Sequence, residues 1–72
     1  MMKTIVSEYI VDKTKIGFIR FIFEAHEGVG VITTIDAKKG HIKLIIAPDR
    51  LNTANLIIDD LKKGFQFNEI HG

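Results

Sequence analysis

A chain of 72 residues with a net charge of +1, 46% hydrophobic side chains and no cysteine makes one small domain, 1–72. It excludes disulfides, thiolate metal sites and thiol nucleophiles. A domain this short buries only about 60% of its unfolded surface, so stability must come from dense apolar packing or from a partner; thirteen isoleucines supply the packing. Met1-Met2-Lys3-Thr4 leads straight into an alternating segment without the apolar core of a signal peptide. No apolar run approaches the ~20 residues of a membrane span, and the near-neutral charge favours neither nucleic acid nor acidic partners in bulk. The expectation is a cytoplasmic globular protein with no membrane contact.

Residues 3–12, KTIVSEYIVD, are rich in β-branched and aromatic side chains with partial alternation, which predicts a strand. Over 15–27, KIGFIRFIFEAHE, the period changes. Arg20, Glu24 and Glu27 fall on one narrow face of a helical wheel, and apolar residues cover nearly all the rest. Thr14 is placed to cap this helix. Residues 29–36, VGVITTID, read as the second strand, "AKKG" as a turn with Gly40 free to take positive φ, and 41–47, HIKLIIA, as the returning strand of a hairpin. Pro48-Asp49 ends it, with Asp49 as the expected cap of a second helix. There Leu51, Ala54, Ile57, Ile58 and Leu61 share a core face, and Gly64 is the expected C-cap. Residues 65–70, FQFNEI, alternate as a short final strand.

The order is βαββαβ, an α+β, ferredoxin-like sandwich. Two helices would cover one face of an antiparallel sheet with spatial order 4-1-3-2. Should the last strand not form, a three-stranded βαββα core remains.

The run FIRFIFEAHEGVGVITTIDAKKGHIKLIIAPDR resembles the centre of a small bacterial family known only as a domain of unknown function. The features shared are an apolar helix ending in an EAxxG-like turn, here Glu24-Ala25-His26-Glu27-Gly28; a TxD strand end, Thr34-Ile35-Asp36; and a PPDR-like helix start, Ala47-Pro48-Asp49-Arg50. That resemblance brings no catalytic residues. The layout is also similar to ACT-type regulatory domains, and this ACT-like resemblance implies amino-acid binding and pairing through sheets or helices. The Asp-x-Pro-Gly-like turn that opens the ACT helix is absent, and Gly17 stands one turn inside the helix instead.

Gly28-Val29-Gly30 is the segment most like a phosphate cradle, but its order is helix, glycines, strand. Phosphate loops run strand, glycines, helix, so that free N–H groups meet the anion; here the loop meets free carbonyls. A different anion site follows from topology. The first-strand-to-helix, hairpin and last helix-to-strand connections share one end of the fold, and they carry Lys13, Lys15, Lys38, Lys39, Lys62 and Lys63, six of the eight lysines. That end could hold a small anionic ligand or a nucleic-acid backbone, although Asp12, Asp36 and Asp60 dilute the field and turn lysines also serve solubility alone. Glu24, Glu27 and Asp49 go to the opposite end.

The apolar first helix has too narrow a polar strip for a helix lying on a sheet. Phe18 or Phe21 is therefore expected to stay partly uncovered, which marks an interface. A homodimer or small homo-oligomer would use this helix, or a sheet face bearing Ile32, Thr34, Lys43 and Ile45. His26, His41 and His71 share no ligand spacing, so no metal and no cofactor is expected. Asp59-Asp60 is a consecutive pair aimed at different helix faces, and Ser7 lies inside a strand with no adjacent base. The segment VDKTKIG lacks the glycines and arginine of an acylphosphatase loop, and the third strand carries none of the aromatics of an RNA-recognition sheet. The reading is a non-enzymatic binding or regulatory module that self-associates and binds a small anion. The alternatives are a nucleic-acid-associated protein using the lysine end, and a pure protein-interaction subunit.

Overall fold

The β-branched N-terminal run forms β1, Ile5–Val11, in a computed structural model that describes residues 4–70. Lys3, at the start of the expected strand, and His71 lie outside the described residues. A 3-10 turn over Lys13–Lys15 leads into α1, Ile16–Ala25. The hairpin follows as β2, Gly30–Asp36, and β3, His41–Ile46. A second 3-10 turn, Pro48–Arg50, opens α2, Leu51–Lys62, and the chain returns as β4, Phe67–Ile70. The last strand therefore forms, two residues later than its alternation predicts.

The sheet order is β2-β3-β1-β4 with every neighbouring pair antiparallel. This is the expected 4-1-3-2 arrangement, an α+β ferredoxin-like fold. Alternation then decides which side chains meet the helices. Tyr9 and Val11 of β1, Ile32 of β2, Ile42, Leu44 and Ile46 of β3 and Phe67 of β4 are all buried, against Ile19 and Phe23 of α1 and Ala54, Ile57, Ile58 and Leu61 of α2. Tyr9 and Phe67 stack at a tilt with ring centroids 4.9 Å apart. Among the described residues the core buries no charged side chain and leaves no buried side-chain polar atom unpaired.

Tight local geometry holds the hairpin. The Asp36 carboxylate accepts from the backbone N–H groups of Lys38 (3.0 Å) and Lys39 (3.3 Å), an Asx-type turn. Gly40 follows at φ +70, where an added Cβ would overlap the Val11 carbonyl oxygen. Gly30, opposite Ile46, is a close backbone approach: a Cβ there would stand 2.6 Å from the Ile45 carbonyl oxygen.

Three helix-end assignments change. Thr14 does not cap α1, whose first position has no side-chain cap; instead Asp12 caps the 3-10 turn before it, its carboxylate accepting from the Thr14 N–H at 2.9 Å and from the Thr14 hydroxyl at 2.7 Å. A carboxylate two residues upstream is the stronger acceptor, and it uses up the hydroxyl meant for the cap. Asp49 does not cap α2. Pro48 takes the first position of the turn, where its missing N–H costs nothing, and the residue before it, Ala47, has no side chain to bond with. Gly64 does not adopt the left-handed cap conformation, which among the described residues only Gly28 and Gly40 show. Instead Lys63 stays right-handed, and the N–H groups of Lys63 and Gly64 donate to the carbonyls of Asp60 and Leu61. Such tightened bonds satisfy the helix end without a glycine. At α1 the chain passes through His26, and Gly28, at φ +80, turns it within a loop closed by the Val29 N–H donating to the His26 carbonyl at 3.2 Å.

Candidate functional site

Two hydrogen bonds gather the lysine-bearing loops. The Val11 N–H donates to the Gly40 carbonyl at 2.8 Å and the Asp12 N–H to the Gln66 carbonyl at 3.1 Å. The β1–α1, β2–β3 and α2–β4 connections therefore meet at one end of the molecule. Lys13, Lys15, Lys38, Lys39, Lys62 and Lys63 are all exposed there. Two of the carboxylates among them are occupied, Asp36 by the hairpin turn and Asp12 by Thr14, while Asp60 is exposed beside Lys62 and Lys63. The Thr14 hydroxyl and then its backbone N–H, with the charges of Lys15 and Lys13 behind them, hold the Asp12 carboxyl below its ordinary range. Glu24, Glu27 and Asp49 are exposed at the opposite end, where the Ala47 N–H donates to the Val29 carbonyl at 3.0 Å.

The helix layer exposes apolar side chains. Phe21 is 64% exposed and Leu56, on α2, 71%. Phe18 is half exposed, its ring edge-on to Phe65 with centroids 6.3 Å apart. Phe18, Ile22 and His26 of α1 face Leu56, Ile57 and Phe65 across an open groove of about 870 Å³. On its other flank α1 reaches the edge strand, where Arg20 donates to the Thr34 hydroxyl at 3.2 Å. Leu56 was not singled out in the sequence, although it stands one residue out of phase with the core stripe Leu51, Ala54, Ile57, Ile58 and Leu61. That phase was the available signal.

The sheet's open face differs from the one expected. Ile32 and Thr34 do not share a face with Lys43 and Ile45. Register pairs Ile32 with the buried Leu44 and Thr34 with Ile42, so both point toward the helices. Lys43 and Ile45 point away, beside Thr33 and Val31. The segment VITTI carries apolar residues at both parities, so alternation alone could not settle its phase. Across the open face run three outward rows, Val31–Ile45–Val6, Thr33–Lys43–Glu8–Ile70 and Asp36–His41–Ile10–Asn68. Val31 is 62% and Val6 56% exposed. The Glu8 carboxylate meets His41 Nε2 at 2.6 Å. Tyr9 points to the helix side, where burial pushes its hydroxyl pKa up, the Ser7 hydrogen bond pulls it down and the charge of Glu69 adds to the rise. The outward positions of the two central strands, β1 and β3, thus carry no Phe, Tyr or Trp ring for stacking bases, and His41 is the one imidazole among them.

Among the described residues no three His, Cys, Asp or Glu side chains come together as metal ligands, and no helix is long and apolar enough to cross a membrane. Fold and surface define a small ferredoxin-like α+β domain with apolar side chains exposed on both layers. Residues 9–64 match the family described as Domain of unknown function (DUF4911). The chain belongs to that family. No curated protein and no solved structure matches it.

Proposed function

We propose that the chain is a non-enzymatic cytoplasmic binding module that works by association, with copies of itself first. The observation that carries this is the exposure of Phe18, Phe21 and Leu56 on the helix layer while the core beneath is already filled. Large apolar side chains left in water on a small domain mark an interface. Light scattering across a concentration series tests it. The expected result is a species of at least twice the 8.1 kDa chain mass at micromolar concentration; a clean single-chain mass up to about millimolar concentration overturns self-association and leaves a heterologous partner as the pure interaction-subunit reading.

A second reading rests on the lysine end. Six exposed lysines on three loops held together by backbone hydrogen bonds suit a small anionic ligand such as a phosphorylated metabolite. An NMR titration with inorganic phosphate, mononucleotides and short oligonucleotides tests it: shifts confined to the amides of 13–15, 38–40 and 62–66 support an anion site, and none anywhere removes it. Tight, steeply salt-dependent oligonucleotide binding would instead favour the nucleic-acid reading.

A further inference from the structure

The outward row at the middle of the sheet places Glu8 directly opposite Lys43 on neighbouring strands. One flank is apolar, Val6 opposite Ile45; on the other Ile10 stands opposite His41. Glu8 turns toward His41, and among the described residues Lys43 has no carboxylate at ion-pair distance. The face therefore carries one acidic and one basic group side by side at its centre, the basic one unpaired, with an apolar row on one flank and Asp36, His41, Ile10 and Asn68 on the other.

We infer that this face binds the same face of a second copy, about a two-fold axis running between β1 and β3 and parallel to them. That axis lays β1 of each copy over β3 of the other. Each Glu8 then meets the partner's Lys43, each Val6 the partner's Ile45, and each Ile10 the partner's His41. Thr33 faces the partner's Ile70. Facing sheets pack about 10 Å apart and nearly aligned, and the rows closest to the axis move least under the twist between them. A two-fold axis across the strands, along the Glu8–Lys43 row, would instead set Glu8 on Glu8 and Lys43 on Lys43, which like-charge repulsion disfavours. The charge pattern thus selects both the partner, another copy of this chain, and the orientation. An isologous contact of this kind closes at two subunits and covers Val6, Ile45 and Ile70 while leaving the helix layer and the lysine end outward.

The inference rests on the self-association reading but places the contact on the sheet face instead of the helix layer, and the experiment separates the two. Glu8→Lys and Lys43→Glu are each compared with wild type by sedimentation equilibrium, with circular dichroism to show that each variant is folded. Either reversal alone sets like charges against each other and is expected to weaken the dimer at least about tenfold. Lys43→Glu leaves the Glu8–His41 contact in place and controls for its loss in the other variant. The two single variants mixed in equal amounts are expected to form a heterodimer, because each then supplies the charge that the other lacks. A wild-type dimer unchanged by either reversal, and dissociated by Phe21→Ser, overturns the sheet-face contact and leaves self-association through the helices. Folded single variants that stay monomeric after mixing also overturn it. A wild-type monomer up to about millimolar concentration overturns both readings.

Discussion

The two faces of one sheet are built from the same residue types and do opposite things. Leu44 and Ile45 are consecutive in β3, yet Leu44 is fully buried under the helices and Ile45 belongs to a row whose neighbours Val6 and Val31 are mostly in water. On the inner face apolar area is removed from solvent within the chain, which stabilises the fold at roughly 25 cal/mol per Å². On the outer face the same chemistry is left unused by the monomer. Composition alone therefore does not separate core from interface; parity along the strand does.

The sharpest break of that comparison is Leu44→Ala, which empties a closed site and should cost about 2–5 kcal/mol. Ile45→Ala, one residue on, should cost about 1 kcal/mol or less of monomer stability. Urea midpoints of the two variants, measured at a concentration where the chain is monomeric, check this, and equal losses would remove the distinction. Gly40→Ala comes next. It combines a left-handed backbone with a Cβ that overlaps the Val11 carbonyl, and about 1–3 kcal/mol of stability should be lost, read as a drop in melting temperature.

Tyr9 gives the inner face a pH signature. Its folded pKa is raised above the ordinary 10.0, so the folded state keeps its proton where the unfolded state releases it. Stability is complete below about pH 10 and falls as the pH rises beyond it. Tyr9→Phe should flatten that decline in a pH series of urea midpoints; an unchanged decline would place its origin elsewhere. The smallest effect belongs to Gly17. It lies in the first turn of α1 with no atom within 4 Å of an added Cβ, so Gly17→Ala should raise stability by about 0.5–1 kcal/mol. Gly17 and Gly40 thus predict opposite signs for one substitution.

Much of the fold was legible because the periodic signals were strong. Leu51, Ala54, Ile57, Ile58 and Leu61 marked the buried stripe of α2, and AKKG marked the hairpin. The six turn lysines follow from strand order, which puts three connections at one end. Less was legible where two local signals competed. Thr14, Asp49 and Gly64 each had the chemistry of a cap, but short 3-10 turns at those helix ends met the same backbone groups by other means. The phase of β2 was hidden because Val31, Ile32 and Ile35 put apolar side chains on both faces. Only its register against β3, with a bulge between Thr34 and Asp36, decides which of them face water. Alternation for that reason places Ile32 and Thr34 on the surface they do not occupy.

The position of β1 has a consequence for how the domain comes together. It is the first strand in the sequence and sits inside the sheet, paired from Ile5 to Ile46 on one side and from Val11 to Phe67 on the other. Both pairings join distant parts of the chain, so loop-closure entropy must be met before either contributes. Among the described residues the hairpin of β2 and β3 is the sheet's only local pairing. A nascent chain released before Phe67 would leave the edge of β1 from Glu8 to Val11 unpaired. Pairing with β4 is thus what moves β1 from the edge of the sheet to its interior.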